Sequence, residues 1–197
     1  AALTMWGLGL PGLRVQVNGY ATTDLNTKAS WPGTSPNFQL IEGYAEYAQP
    51  AWTIVAGRKL VAGRLGAYGF DGGQLTGRLA SAGLQLSGYL GVGLAQGANL
   101  YVSSSDVSPQ GEYQPAQSPL VAGLLGAWNS PHAEITAEYR REVDQTTDYF
   151  GSERVAASAT LRPYGAWSLV GGAIYDMASA SWGSADAALR FATPKLG

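Results

Sequence analysis

The chain has no cysteine and a single histidine, His132, among its 197 residues. Disulfide scaffolds and thiolate metal sites are therefore excluded. Charge is scarce as well. Asp, Glu, Lys and Arg make up 13 % of the residues, about half the share usual in soluble domains. A net charge of −2 and a pI near 5.3 offer no electrostatic attraction to nucleic acid, and none is expected as a partner. Long apolar runs are also missing: nothing approaches the ~20 residues of a membrane-spanning helix, and mean hydropathy is −0.04. No secretory signal opens the sequence, so a mature form or an excised piece is expected. Despite 27 glycines, no glycine loop of the phosphate-binding kind follows a strand and opens a helix.

Proline is present but confined, which is informative because a residue without an amide hydrogen cannot serve a central ladder. Short breaks fall at Pro11-Gly12, Gln49-Pro50, Ser81 to Gly83, Asn129 to His132, Pro163 to Gly165 and Thr193 to Lys195. Longer, mostly polar stretches fall at Asn26 to Asn37, Gly63 to Gly73, Gln96 to Pro119, Asp144 to Tyr149 and Met177 to Ser184. Short and long breaks alternate, as in a meander with tight turns on one rim and long loops on the other.

Between the breaks the period is two. In Leu84 to Ala95, Leu84, Leu86, Leu90, Val92 and Leu94 share one parity, whereas Gln85, Ser87 and Tyr89 share the other. No helical face collects those leucines. Val15, Val17, Gly19 and Ala21 likewise oppose Arg14, Gln16, Asn18 and Tyr20, and Ala185, Ala187, Leu189 and Phe191 oppose Asp186 and Arg190. In Gly151 to Arg162, Val155, Ala157, Ala159 and Leu161 oppose Arg154, Ser158, Thr160 and Arg162, with Glu153 out of pattern. The stretch Ala133 to Asp144 admits a helical stripe of Ile135, Tyr139 and Val143. As a strand it sets Glu134, Glu138, Arg140 and Glu142 on one face, and its neighbours favour the strand. The expectation is one all-β domain over residues 1–197. Eleven strands fall near 2–10, 13–24, 38–48, 52–62, 74–80, 84–95, 120–128, 133–143, 150–162, 167–176 and 185–192. Two are irregular: Arg58 shares parity with Ile54 and Leu60, which predicts a bulge or mixed facing, and Leu120 to Trp128 is apolar on both parities.

Alternation alone does not say which face meets water. Three features favour apolar residues facing lipid. Trp52, Trp128 and Trp167 lie beside short turns, and Tyr20, Trp31, Tyr68, Phe70, Tyr149, Phe150, Tyr175 and Trp182 lie towards the long-loop ends, as two interfacial belts would. Several segments match the ~9–11 residues of a tilted membrane strand. Small residues such as Gly19, Gly43, Gly57, Gly88, Ala157 and Ala159 would pack a dry core poorly.

On these features the chain resembles the bacterial outer-membrane β-barrels. The stretch AGRKLVAGRLGAYGFDGG is similar to the arginine-ended strands and Phe-Asp-Gly loops of porin-like proteins. The resemblance implies an antiparallel up-and-down transmembrane β-barrel of about 10–12 strands in the bacterial outer membrane. The end FATPKLG lacks the terminal aromatic strand of such barrels, so a portion of a larger barrel, completed by further strands or an oligomer partner, is also expected. The lipid bilayer is then the principal partner.

Counting back from the turns sets Glu42 opposite Arg58, and Arg58 near Arg78. The lumen-lining residues expected are Arg14, Glu42, Glu46, Arg58 and Arg78 in one patch and Glu134, Glu138, Arg140, Glu142, Arg154 and Arg162 in a second, with Asp186 and Arg190 on the last strand. Such a face suits a passive passage for small hydrophilic solutes, a structural or surface-binding barrel whose lumen is closed by its own ion pairs or, with the faces reversed, a soluble barrel holding an apolar ligand. The segment Gln96 to Pro119 suits an inward constriction or a surface loop. Catalysis has little support: His132 sits in a tight turn, and its neighbour Ser130 makes no triad by adjacency. The carboxylates of Asp71-Gly72-Gly73 and Asp144 to Asp148 lack calcium-loop spacing. Neither metal nor cofactor is expected.

Overall fold

The computed structural model describes residues 2–21, 38–94, 119–143, 150–164 and 166–191. These form eleven strands, β1 (Ala2–Trp6), β2 (Leu13–Ala21), β3 (Phe38–Ala48), β4 (Trp52–Gly63), β5 (Gly66–Leu79), β6 (Leu84–Gly93), β7 (Leu120–Asn129), β8 (Ala133–Val143), β9 (Phe150–Tyr164), β10 (Trp167–Asp176) and β11 (Ser181–Phe191). Each pairs antiparallel with its sequence neighbours in one sheet ordered β1 to β11. All eleven expected strands are present, Ala133 to Val143 among them. Among the described residues β1 and β11 do not pair with each other, so the sheet is not closed.

Register carries the alternation from strand to strand. Ile54, Leu75, Gly88, Leu124 and Tyr139 lie in one continuous row, and Val55, Gln74, Tyr89, Gly123 and Arg140 in the next. The first row belongs to an exposed apolar face on which Leu90 is 64 % and Leu124 61 % accessible. The second belongs to a covered face where Val121 and Phe70 are almost wholly buried. The two-sided Leu120 to Trp128 segment resolves accordingly, with Val121 and Leu125 inside and Leu120, Leu124 and Trp128 outside.

The covered face is concave. Arg64, in the β4–β5 turn, forms an ion pair with Asp186 of β11. Six strand spacings of about 4.8 Å would hold β5 and β11 roughly 29 Å apart in a flat sheet, so the sheet curls. Gly57, Gly72 and Gly91 are in register on β4, β5 and β6, at places where the neighbouring backbone leaves no room for a Cβ. A Cβ on Gly72 would strike the Leu90 carbonyl and Gly91 Cα, and one on Gly57, whose φ is +126°, would strike Gly43 and Tyr44.

Beyond Arg58 on β4 and Gly69 on β5 the hairpin leaves the sheet. Pairing of β3 with β4 ends at Gly43–Arg58. Side chains take over the backbone groups released there: Leu60 N donates to Glu42 Oε1, and Arg58 Nη1 donates to Leu40 O. The hairpin then leans across the concave side, with Val61, Tyr68 and Phe70 packed on Tyr89 and Val121.

This geometry corrects several expectations. Gly63 to Gly73 is not a long loop: only Arg64 and Leu65 turn, and β5 runs unbroken from Gly66, whose φ of +90° completes the turn. Met177 to Ser184 is likewise a four-residue turn at 177–180 with β11 starting at Ser181. Strand β1 stops at Trp6, because Gly7, Gly9 and Gly12 take positive φ in the turn that follows. The expectations placed on Asn26 to Asn37, Gln96 to Pro119 and Asp144 to Tyr149 fall outside the described residues, apart from Pro119.

Two glycines of β5 test the curl. Gly72→Val should destabilise the fold by about 1–3 kcal/mol through overpacking. Gly77→Ala, where an added Cβ meets nothing within 4 Å, should change stability little. Urea unfolding of both variants, followed by tryptophan fluorescence, measures the difference.

Candidate functional site

The concave face gathers most of the charges assigned to it from the sequence, by the simple consequence of period two. On β8, Glu134, Thr136, Glu138, Arg140 and Glu142 alternate with Ile135, Ala137, Tyr139 and Arg141. Register with β9 then places Arg154 beside Arg140 and Thr160 beside Glu134. Arg140 Nε lies 3.1 Å from Glu142 Oε1, Arg154 Nη2 3.8 Å from the same oxygen, and Arg162 Nη2 3.9 Å from Glu134 Oε2. Arg140, Glu142 and Arg154 of the second expected patch therefore form one group of ion pairs, and Glu134 with Arg162 a separate one. Arg140 is the buried member of the first group, 3 % exposed, with its guanidinium 4.7 Å from the Tyr68 ring.

The docked β4–β5 turn completes this network. Leu65 N donates to Glu138 Oε2, and Arg140 Nη2 donates to Leu65 O, each at 3.1 Å. Both backbone polar groups of Leu65 are thus held by β8, while Arg64 reaches Asp186. Nothing in the alternation of either strand signals this contact, because it depends on the hairpin leaving the sheet. Arg190, in register with Ser168 on the same face, is exposed on the edge strand.

The first expected patch is only partly assembled. Arg14 Nη2 pairs with Glu46 Oε2 at 2.9 Å and donates to Tyr44 Oη at 3.4 Å. Tyr44 in turn donates to Gln16. Lys59, absent from the expected set, brings its ammonium 5.3 Å from the Tyr44 ring centre. Its position opposite Arg58 in the alternation was the available signal.

Arg58 and Arg78 do not join that patch. Gly43 rather than Glu42 faces Arg58, and Arg58 lies opposite Asp71, far along the hairpin from Arg78. Arg58 keeps the parity of Ile54, Ala56 and Leu60, so it sits on the outer face, where Nε and Nη2 bond the two oxygens of Asp71 at 2.8 and 2.7 Å. Counting around Pro50 misses the β3–β4 register by one residue, and counting around a supposed long loop misplaces Arg58 against Arg78. Arg78 donates to Thr53 Oγ1 near the short-turn end.

On the outer face, the aromatics cluster at strand ends. Trp52 packs on Tyr47 with ring centres 5.5 Å apart, Trp167 on Phe191 at 4.5 Å, and Tyr175 on Trp182 at 5.2 Å. Trp128 Nε1 donates to Ala82 O in the neighbouring turn. Tyr68 and Phe70, expected in a belt, are instead inside. The side chains of Tyr20 and Phe150, and all of Trp31 and Tyr149, lie outside the described residues.

The remaining candidates are occupied structurally. Ser130 Oγ accepts from Ala133 N in the β7–β8 turn, which leaves its hydroxyl serving the backbone beside His132. Asp71, on β5 rather than in a loop, is bound to Arg58 of β4. Among the described residues no three His, Cys, Asp or Glu side chains group as metal ligands.

The buried and exposed ion pairs should differ in weight. Arg140→Ala removes the nearer of the two cations of Glu142 and the donor to the Leu65 carbonyl, and should cost about 3 kcal/mol. Arg162→Ala, at a half-exposed pair, should cost under about 1 kcal/mol. Paired denaturant titrations separate these values.

No protein family, curated protein or solved structure matches this chain.

Proposed function

We propose that the chain builds a transmembrane β-barrel wall in a bacterial outer membrane, and that its charged concave face borders a narrow passage for small hydrophilic solutes. The observation that carries this reading is the sign of the two faces. Leu75, Leu86, Leu90, Leu124 and Leu189 are each more than half exposed on one side, whereas ion pairs fill the other. A contiguous apolar surface of this extent is unfavourable in water, and lipid is the solvent that suits it. Strands of nine residues or more from β2 to β11 and aromatic pairs at strand ends fit the thickness and the interfaces of a bilayer.

The passage follows from the inner face, where acidic and basic side chains occupy opposing positions and offer a polar route across a hydrocarbon layer. A specific observation favours a second reading, a closed structural barrel. The docked hairpin and its Val61, Tyr68, Phe70, Tyr89 and Val121 cluster occupy part of the interior. The soluble, apolar-ligand reading gains no support from an inner face lined by arginine and glutamate.

Two measurements test the proposal in sequence. The chain should acquire a sheet spectrum and a heat-sensitive gel mobility only with detergent micelles or lipid. A soluble, cooperatively folded monomer in plain buffer would remove the membrane assignment. In planar bilayers the folded chain should give discrete ohmic conductance, and Arg154→Gln should shift ion selectivity toward cations. A folded, membrane-inserted chain without conductance would instead establish the closed barrel.

A further inference from the structure

From Val61 to Tyr68 the β4–β5 hairpin is a unit apart. The ladder with β3 ends at Arg58, and backbone bonding with β6 ends at Gly69. Among the described residues the two hairpin strands pair beyond these points only with each other, from Val61 with Tyr68 to Gly63 with Gly66. None of that pairing depends on where the hairpin lies.

A small set of contacts holds it over the concave face. Glu138 and Arg140 grip Leu65, Arg64 pairs with Asp186, and Val61, Tyr68 and Phe70 cover Tyr89 and Val121. The docked position is fitted to these groups. A Cβ on Gly63 would strike the Glu138 carboxylate, and one on Gly172 of β10 would strike the Arg64 guanidinium.

The fit is nevertheless incomplete. Tyr68 Oη, Tyr89 Oη, Glu138 Oε1, Arg140 Nη1 and Arg64 Nε are buried with no hydrogen-bond partner among the described residues. All five belong to side chains that meet at the dock. Between hairpin and sheet there is also a chamber of about 320 Å³, with Val61, Gly63 and Arg64 on one side and Ser87, Leu125 and Glu138 on the other. Unpartnered buried polar atoms oppose docking, and water satisfies them on release. Burial of Val61, Phe70 and Val121 opposes release. These opposing terms bring the docked and released positions close in free energy.

We propose that the hairpin is a gate, moving as a rigid pair of strands about its junction with the sheet at Arg58 and Gly69, with Glu138, Arg140 and Asp186 as its latch. Docked, it covers the concave face. Released, it clears that face and frees the curl that the Arg64–Asp186 pair pins. The inference rests on the proposed passage, whose conductance it divides into a low and a high level.

Thiol labelling tests the motion independently of conductance, because the chain has no cysteine of its own. In the micelle-folded protein, Val121→Cys lies under the hairpin, whereas Thr53→Cys is also buried but near the short-turn end. A water-soluble maleimide should react with Val121→Cys about tenfold faster or more, since local opening precedes global unfolding. Val61→Cys, on the hairpin itself, repeats the test if Val121→Cys fails to fold. Glu138→Gln offers Leu65 N a neutral acceptor in place of a charged one. It should speed labelling of Val121→Cys about tenfold and lengthen the high-conductance periods in proportion. Equal labelling at the two sites, or labelling indifferent to Glu138→Gln, would overturn the gate. Fast labelling in a chain that never conducts disproves the passage and leaves the moving hairpin. Steady conductance at one level with slow labelling disproves the gate alone.

Discussion

The interior depends on one steric constraint: at Gly57, Gly72 and Gly91 neighbouring strands approach so closely that no Cβ fits between them. Glycine permits this approach, and gives up both side-chain packing and chain entropy in doing so. What it permits is a change of direction. The outer ends of β4 and β5 leave the plane of β3 and pass over the concave face. The Arg64–Leu65 turn then meets β8, and the inner face is divided into a packed end and a chamber.

The departure leaves backbone groups that a continuous ladder would have paired, and the chain supplies replacements from side chains. Glu42 receives Leu60 N, Arg58 reaches Leu40 O, and Glu138 with Arg140 holds both polar groups of Leu65. Buried polar backbone without such partners would be expensive. The charges near the hairpin thus have a structural task before any functional one. Arg58 also explains its own exception on the outer face, since a bidentate bond to Asp71 neutralises it there. The outer Tyr139–Glu153 hydrogen bond at 2.7 Å similarly occupies a carboxylate that breaks the parity of β9.

Strand existence was legible in the sequence because period two survives wherever leucines or charges mark one parity, as in Leu84 to Gly93 or Ala133 to Val143. It was illegible from Gly63 to Gly73, where five glycines and Asp71 erase the contrast between faces and resemble a loop. That single error propagated. It shortened β5, misplaced Arg58 against Arg78, and sent Tyr68 and Phe70 to an interface when they belong inside. Within the candidate site, the β8–β9 charges were readable because alternation fixes their face. The grip of Glu138 and Arg140 on Leu65 was not readable, because it joins residues across three strands through a bend that local pattern does not encode.

A sheet in which, among the described residues, every strand pairs only with its predecessor and successor also has a mechanical consequence. Apart from the hairpin's crossing to β7, β8 and β11, its main contacts among the described residues are nearest-neighbour ones, as in a zip. Disturbance at one turn spreads sideways only through the two ladders that flank it, and contacts of this local kind form without waiting for distant parts of the chain. The crossing hairpin is the exception that ties the row together. Its release would turn a cross-braced shell into a ribbon free to open and flatten.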